Sequence, residues 1–446
     1  MKVVSAIMIL VGTIATGTSV NSQASNEAPL LLTTYINNGQ ADKARNLSSV
    51  NPTLFAGVKS HSGFITVSEG WHQYIWFFPV EGKPLGSTPW IIWTQGGPGV
   101  STLYGIFKEI GPLKLVNGKV KKMPVSWASD YSILFIDTPI DAGFSYSDTE
   151  GKFMKNDEEV GTSLYTLVQQ FIQMFPELSR APLFLAGESY AGKFVTALGH
   201  YIHNSPNSKL NLKGLVIGSG FVDPPTLLHL SPLGEQLGLL DYKQAAEVNK
   251  LEDDARRYWK AGDMTNYVTK ARDSVLLTIN YTQGISLDNV LRDDSSLPTD
   301  FGTFVNRTDV RKALHVGNRQ FNVWSDQAYQ AFEPVIFLSV KPWLEELLDH
   351  YAVLCYNGNL DMVAGYPLAV HTFRSLNWSG KEEYKKAERT PVLTKYPGKT
   401  LNIIGYNRHA ANFTEMMIRN AGHAVPADQP YAAKQMINTF IDKFKK

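Results

Sequence analysis

The stretch Gly187-Glu188-Ser189-Tyr190-Ala191-Gly192 decides how this chain reads. It follows the apolar run Leu183-Phe184-Leu185-Ala186 and leads into the helix-compatible segment Lys193 to Tyr201. A serine between small residues on a tight strand-to-helix turn is a nucleophile elbow: the turn lifts the serine oxygen above the sheet edge, and only small neighbours let the backbones pack there. Ala191 stands where that pattern usually has its second glycine, and Gly192 follows it. Such a match is weak on its own, so the rest of the chain must supply context.

Composition narrows the field. The formal net charge is +1 over 446 residues, which argues against a nucleic-acid partner, because phosphate binding needs clustered Lys and Arg. The longest charged cluster, Lys381 to Arg389, mixes both signs and reads as a solvated face. Residues 1–22 are set apart: Lys2 precedes the apolar run Val3 to Ile14, and Val20 and Ser22 fit a signal-peptidase site with cleavage before Gln23. That run is too short to span a bilayer. No later run reaches about eighteen apolar residues, so the mature chain, 23–446, is expected without a membrane span. Sequons at Asn46, Asn280, Asn306, Asn377 and Asn412 agree with the secretory pathway and an extracellular or lysosomal destination. Cys355 is the only cysteine, so no intramolecular disulfide is available. It lies in Val353-Leu354-Cys355-Tyr356 and reads as a buried thiol, not a nucleophile.

Taken in order, Phe64 to Val67 and Tyr74 to Phe78 read as antiparallel strands around the Glu69-Gly70 turn. Trp90 to Trp93 is a buried strand running into Gln95-Gly96-Gly97-Pro98-Gly99. A glycine run after a strand is usually only a turn; here it also fits a backbone whose N–H groups face a substrate oxygen. Ser101 to Glu109 reads as a helix closed by Gly111-Pro112, and Tyr131 to Ile136 as a central strand. Val160, Leu164, Leu167, Val168, Phe171 and Ile172 recur at helical spacing before Pro176. Leu215 to Ile217 is the next strand. From about 224 to about 309 charged, Leu-bearing helical segments replace strands, as in a helical cap inserted into a core. Strands resume at Val353 to Tyr356 and Thr414 to Arg419, and an amphipathic helix after Pro430 closes the chain.

Ser189, Asp361 and His423 each fall just beyond the C-terminal end of an expected strand, the edge at which open parallel sheets carry their chemistry. A serine hydroxyl needs a base, imidazole can serve with its pKa near 6.5, and a buried carboxylate fixes the tautomer. The order Ser, Asp, His is that of the α/β-hydrolases. The expected architecture is therefore an α/β-hydrolase fold: a central, mostly parallel sheet, helices on both faces and the helical cap at 224–309. Each member also has a plain alternative, since one of ten histidines is seldom catalytic and Asp361 could cap the turn opened by Asn357-Gly358. His200 and His203 sit three apart on a helix but lack a third ligand, so no metal and no cofactor is expected.

Five motifs in order resemble the serine carboxypeptidase family. They are Trp93 to Gly99; Phe135 to Pro139 with Gly143-Phe144-Ser145-Tyr146; Gly187 to Gly192; Tyr356 to Asp361; and Ala421-Gly422-His423 with Pro426 and Asp428-Gln429-Pro430. The resemblance runs from about Phe64 to Ile441, and Gln95 with Lys381 to Glu388 is most similar to the vitellogenic carboxypeptidase-like branch.

That resemblance implies removal of single residues from peptides with a free C-terminus, through an acyl-enzyme and usually at acidic pH. Carried over by position, Ser189 is the nucleophile, His423 the base and Asp361 its orienter. Gly97 and Tyr190 supply oxyanion-hole N–H groups, and Gln95, Gly96, Glu109 and Glu188 hold the substrate carboxylate. The chain departs from the usual pattern with Gln95 for asparagine, Val100 for cysteine, Asp141 for glycine and Asn359 for an acidic residue. The same resemblance admits a related acyltransferase; a secreted binding protein on the scaffold would have no use for an activated serine.

Overall fold

The computed structural model describes residues 28–293, 300–394 and 402–446; the expected signal segment 1–22 lies outside them. These residues form two compact units. One holds 28–216, 300–332 and 430–446, and the other holds 217–293, 333–394 and 402–429.

The first unit carries strands β1 (Ser49–Val50), β2 (Ser60–Ser68), β3 (Trp71–Phe78), β4 (Trp90–Thr94), β5 (Leu113–Val116), β6 (Lys119–Lys122), β7 (Ser132–Ile136), β8 (Tyr146–Ser147), β9 (Leu183–Glu188) and β10 (Leu212–Gly218), the last leading into the other unit. Apart from the separate β5–β6 hairpin, the sheet runs β1-β2-β3-β7-β4-β9-β10, with β8 also on β3. The expected hairpin is present as β2 and β3, antiparallel with Phe64 opposite Tyr74. β7, β4 and β9 are parallel neighbours. Every residue of these three strands is buried, which is why they read as continuous apolar runs: a parallel sheet covered on both faces leaves no polar alternation.

The helix Asp157–Met174 buries Val160, Leu164, Leu167, Val168, Phe171 and Ile172, the residues at helical spacing. Asn156 caps it by accepting the N–H of Glu159 at 2.9 Å, and Pro176 lies just beyond its end. Its neighbour is the helix Ala191–His203, approached so closely that a Cβ on Gly161 would meet the Tyr201 ring at 2.7 Å. Phe171 also packs on Phe77 and Phe175, with ring centroids 5.1 and 4.9 Å away. Each such buried ring contributes roughly 1.5–3 kcal/mol of transfer free energy. The closing helix Pro430–Phe444 buries Ala432, Ala433, Met436, Ile437, Phe440 and Ile441.

In the second unit, β11 (Ala352–Gly358) precedes β12 (Thr390–Thr394), β13 (Asn402–Ala410) and β14 (Phe413–Ile418). β11 and β14 are parallel and in unbroken register from Val353 opposite Phe413 to Gly358 opposite Ile418. β13 joins β14, and β12 joins β13, both antiparallel. Helices Tyr242–Ala261 and Met264–Thr282 pack as a hairpin, opened by an Asp241–Gln244 capping box and turned at Gly262 in the left-handed region. Helical elements begin at Pro224 and continue past residue 309 to Leu348. Residues 300–332 of that stretch belong with the first unit. Among the described residues no helix is long and apolar enough to cross a membrane.

Candidate active site

Ser189 follows β9 directly and takes φ +61°, with the helix Ala191–His203 starting two residues later. A side chain held in the left-handed region costs about 1–3 kcal/mol and persists only where its surroundings fix it. Two close contacts do so. A Cβ on Gly187 would lie 2.9 Å from the Cβ of Ala191 and 3.1 Å from its carbonyl oxygen, which explains the glycine at 187. A Cβ on Gly96 would lie 2.7 Å from the Glu188 carbonyl oxygen, the Ser189 Cβ and the Tyr190 nitrogen. The glycine loop after β4 is thus pressed onto the elbow.

That loop is held from both sides. Gly97, at φ +111°, would bring a Cβ within 3.2 Å of the Trp324 ring. The Ser101 N–H donates to the Val323 carbonyl at 2.9 Å and the Ser325 N–H to the Gly99 carbonyl at 3.0 Å. From the other side, Asp137 Oδ1 accepts from Ser101 Oγ, Thr102 N and Thr102 Oγ1 at 2.8, 2.8 and 2.9 Å. Its Oδ2 accepts the Phe144 N–H at 3.0 Å. Burial pushes Asp137 up to about 6, with those four donors pulling against it. Only glycine fits at 143, because a Cβ would come within 2.0 Å of Asp137 Oδ2. Asp141, in the left-handed region at φ +79°, accepts a 2.5 Å hydrogen bond from Ser325 Oγ.

Gln95, Glu109 and Glu188 are all buried. Trp93 Nε1 donates to Gln95 Oε1 at 2.9 Å and so fixes which end of the amide is which. Gln95 Nε2 then donates to Glu109 Oε1 at 3.1 Å and to Glu188 Oε1 at 3.3 Å. Two carboxyl groups therefore share one amide nitrogen beside the elbow. Glu109 ends the π-helical turn Gly105–Glu109, where an ordinary helix over Ser101 to Glu109 is the sequence expectation. A Cβ on Gly105 would sit 2.6 Å from Trp93 Nε1, so the wide turn brings Glu109 in over a glycine.

Behind Tyr190 lies a buried charge pair that sequence reasoning misses. Lys193 Nζ is 3.8 Å from Asp157 Oδ2 and stands over the Tyr190 ring, 4.6 Å from its centroid. Tyr190 Oη donates to the same Asp157 oxygen at 3.4 Å. Burial raises the Asp157 carboxyl, while Lys193 opposes that shift. A lysine and an aspartate at helix positions read as solvent-facing, and only the tertiary packing shows otherwise.

Asp361 and His423 belong to the other unit. In-register pairing of β11 with β14 brings the loops after both strands to one edge. A Cβ on Gly358 would clash at 2.2 Å with the Ala421 and Gly422 carbonyls. His423 Nδ1 stands 2.8 Å from Asp361 Oδ2, and the aspartate side chain is fully buried. Asp361 Oδ1 accepts the N–H groups of Val363 and Ala364 at 2.6 and 3.2 Å. Since the carboxylate only accepts, Nδ1 carries the proton of neutral His423 and Nε2 the lone pair. Ser219 Oγ donates to the His423 carbonyl at 2.8 Å, and Asn359 Oδ1 takes the Asn420 N–H at 2.8 Å. Cys355 is buried, and burial pushes its thiol far up, away from thiolate chemistry.

The sequon asparagines differ in setting. Asn46, Asn280 and Asn377 are exposed, whereas Asn306 and Asn412 are half-buried.

Comparison with known proteins agrees with the motifs. The sequence model of the family described as "Serine carboxypeptidase" matches residues 51–443. A probable serine carboxypeptidase of Homo sapiens, CPVL, is 36% identical over 433 residues, covering 93% of this chain and 89% of its own. The vitellogenic carboxypeptidase of Aedes aegypti is 35% identical, covering 93% and 90%. The venom serine carboxypeptidase of Apis mellifera is also 35% identical, covering 92% and 90%. The crystal structure of a prohormone-processing carboxypeptidase from Saccharomyces cerevisiae superposes with a TM-score of 0.79 at 22% identity, over 90% of this chain and 96% of that one. That likeness shows the α/β-hydrolase fold.

Proposed function

The chain belongs to the serine carboxypeptidase family and is a serine-type carboxypeptidase, and we propose that Ser189, His423 and Asp361 are its nucleophile, base and orienting carboxylate. Ser189 Oγ attacks the carbonyl of the last peptide bond as His423 Nε2 takes its proton. Asp361 holds the imidazole through Nδ1 and stabilises the imidazolium. The N–H groups of Gly97 and Tyr190 receive the developing oxyanion. His423 returns the proton to the departing amino acid, and water repeats the sequence on the acyl-enzyme.

One observation carries the exopeptidase part of this reading: the Gln95 amide shared by two buried glutamates, one of them adjacent to Ser189. Two carboxyl groups around one nitrogen, joined by a third from the substrate, cannot all ionise cheaply. With protons on Glu109 and Glu188 they become donors to a free C-terminus, alongside Gln95 and the Gly96 backbone. Acidic pH then favours peptide cleavage, in keeping with a secretory-pathway destination, extracellular or lysosomal, and with a signal peptide at 1–22. The helical insertion serves as a cap in this reading.

A fluorophosphonate probe tests it. Labelling at Ser189, with release of single C-terminal residues from a peptide library, is the expected result. No label at Ser189, with a control serine hydrolase labelled in parallel, would sink it. Labelling with transfer of the acyl group to an acceptor other than water would identify an acyltransferase.

A further inference from the structure

The loop that follows helix Met264–Thr282 packs against the loops of Asp361 and His423, which also meet each other directly where the Leu360 N–H donates to the Ala421 carbonyl at 2.9 Å. Its ends are tied by the Ser286 N–H donating to the Arg292 carbonyl at 3.0 Å. On one side the Met362 N–H donates to the Leu287 carbonyl at 2.8 Å, and the Val290 N–H to the Leu360 carbonyl at 3.0 Å. These bonds flank Asp361. On the other side the His423 N–H donates to the Asp288 carbonyl at 2.6 Å. Gly422 fits only because it lacks a side chain: a Cβ would stand 2.2 Å from that same carbonyl oxygen.

Asp428 closes the arrangement. Its Oδ2 accepts the Gly422 N–H at 2.8 Å and the Asn289 Nδ2 at 2.9 Å. Its Oδ1 pairs with the guanidinium of Arg292. The carboxylate is almost wholly buried, 7% exposed, whereas Arg292 is 55% exposed. The two successive N–H groups of Gly422 and His423 therefore end on fixed acceptors: the Asp428 carboxylate and the Asp288 carbonyl that Asn289 and Arg292 hold in place.

We propose that Asp428 is a positioning residue for the reaction, locking loop 286–292 as a brace that holds the backbones carrying the Asp361 carboxylate and the His423 imidazole in their mutual orientation. The proposal rests on the reading of His423 as the base. Supporting groups of this kind matter because a reacting constellation must be held to within a fraction of an ångström, and a misplacement of about 1 Å can cost on the order of 100-fold in rate. Asp428 acts through the Gly422 N–H, the Asn289 amide and the Arg292 guanidinium, so its effect should fall on the chemical step.

Steady-state kinetics on a free-acid peptide test this with the full chain. Asp428→Ala should lower kcat by roughly 10- to 100-fold and leave KM within about 3-fold. Asp428→Asn keeps an oxygen for the Gly422 N–H and should recover kcat to within about 5-fold of the parent. If Asp428→Ala does not fold, Asn289→Ala removes one of the bonds and should lower kcat by about 3- to 10-fold at unchanged KM. A parental kcat in the folded alanine variant, a loss confined to KM, or an asparagine variant no better than alanine overturns the proposal. His423→Ala separates the two levels: if it stays active, the assignment of the base has failed; if it is dead while Asp428→Ala is unaffected, only the positioning role has.

Discussion

Gly96 lies so close to Ser189 that a methyl group on the glycine would stand 2.7 Å from the serine Cβ. The same methyl would meet the Tyr190 nitrogen at 2.7 Å, so it cannot be absorbed by a flexible side chain. Gly96→Ala must therefore push the elbow and the glycine loop apart. The expected outcome is a loss of kcat/KM on the order of 100-fold, with slower fluorophosphonate labelling of Ser189. Labelling at the parental rate would show that the elbow tolerates the displacement.

Glu188→Gln tests the exopeptidase role proposed for Glu188 apart from the catalytic one. In the proposed carboxylate site protonated Glu109 and Glu188 donate to the substrate, and on that reading KM for a free-acid peptide should climb as pH rises. The amide of the same peptide, with no charge to bind, should show no such climb. In Glu188→Gln the free-acid profile should flatten while ester hydrolysis persists. Matching pH profiles for acid and amide in the parent protein would remove the basis of the assignment, and a uniform loss in the variant would make Glu188 structural.

The Asp361–His423 contact gives the third expectation. With both Asp361 oxygens engaged, the neutral imidazole has its proton on Nδ1. Asp361→Asn would present an amide N–H to Nδ1 and favour the other tautomer, which could not serve as the proposed base. The expected loss in kcat is about 10,000-fold, with thermal stability changed far less. A loss below about 10-fold would mean that another group orients His423.

Much of the proposed site is legible in the sequence because its residues sit where strands stop. Ser189, Asp361 and His423 each follow an apolar run and a small-residue turn, and those runs are β9, β11 and β14. What escapes is of two kinds. β13 (Asn402–Ala410) and β12 (Thr390–Thr394) are half-exposed and polar, with no period-two pattern to find. The second kind is chemistry that only packing creates. Lys193 and Asp157 are ordinary charges in the sequence and a buried pair in the fold, and nothing local in Ser101 to Glu109 announces a π turn. Glycines give the better signal: at 96, 105 and 143 a side chain is excluded by the partner that matters, Ser189, Trp93 and Asp137 respectively.

Sequon use should follow side-chain freedom. Asn306 donates to and accepts from the Phe321 backbone at 3.2 and 2.8 Å, and Asn412 Nδ2 donates to the Leu348 carbonyl at 3.1 Å. A glycan on either must leave from a half-buried amide already in use, whereas Asn46, Asn280 and Asn377 are exposed. In protein secreted from a eukaryotic host, mass spectrometry should find glycans at the last three and little at the first two. Equal occupancy at all five would show that burial in the fold has no influence.

Acid stability should depend on opposed buried groups. Burial pushes Asp137 and Asp288 up to about 6. The folded state then binds their protons more tightly than the unfolded chain, so they add stability as pH falls from about 6 toward 4. Burial lowers His61 to about 4, with Arg45 and His315 adding to the shift and a hydrogen bond to the Arg45 carbonyl opposing it. There the unfolded chain takes the proton first, and stability is lost over the window from about 6.5 down to 4. Each opposed shift is worth on the order of 3 kcal/mol when fully developed. His61→Gln keeps a polar group for the Arg45 carbonyl but cannot titrate. Its Tm should therefore rise relative to the parent as the pH is lowered from 6.5 to 4, the gap widening steadily across that window. A constant difference between the two melting curves over that range would show that His61 is not the group opposing the buried acids.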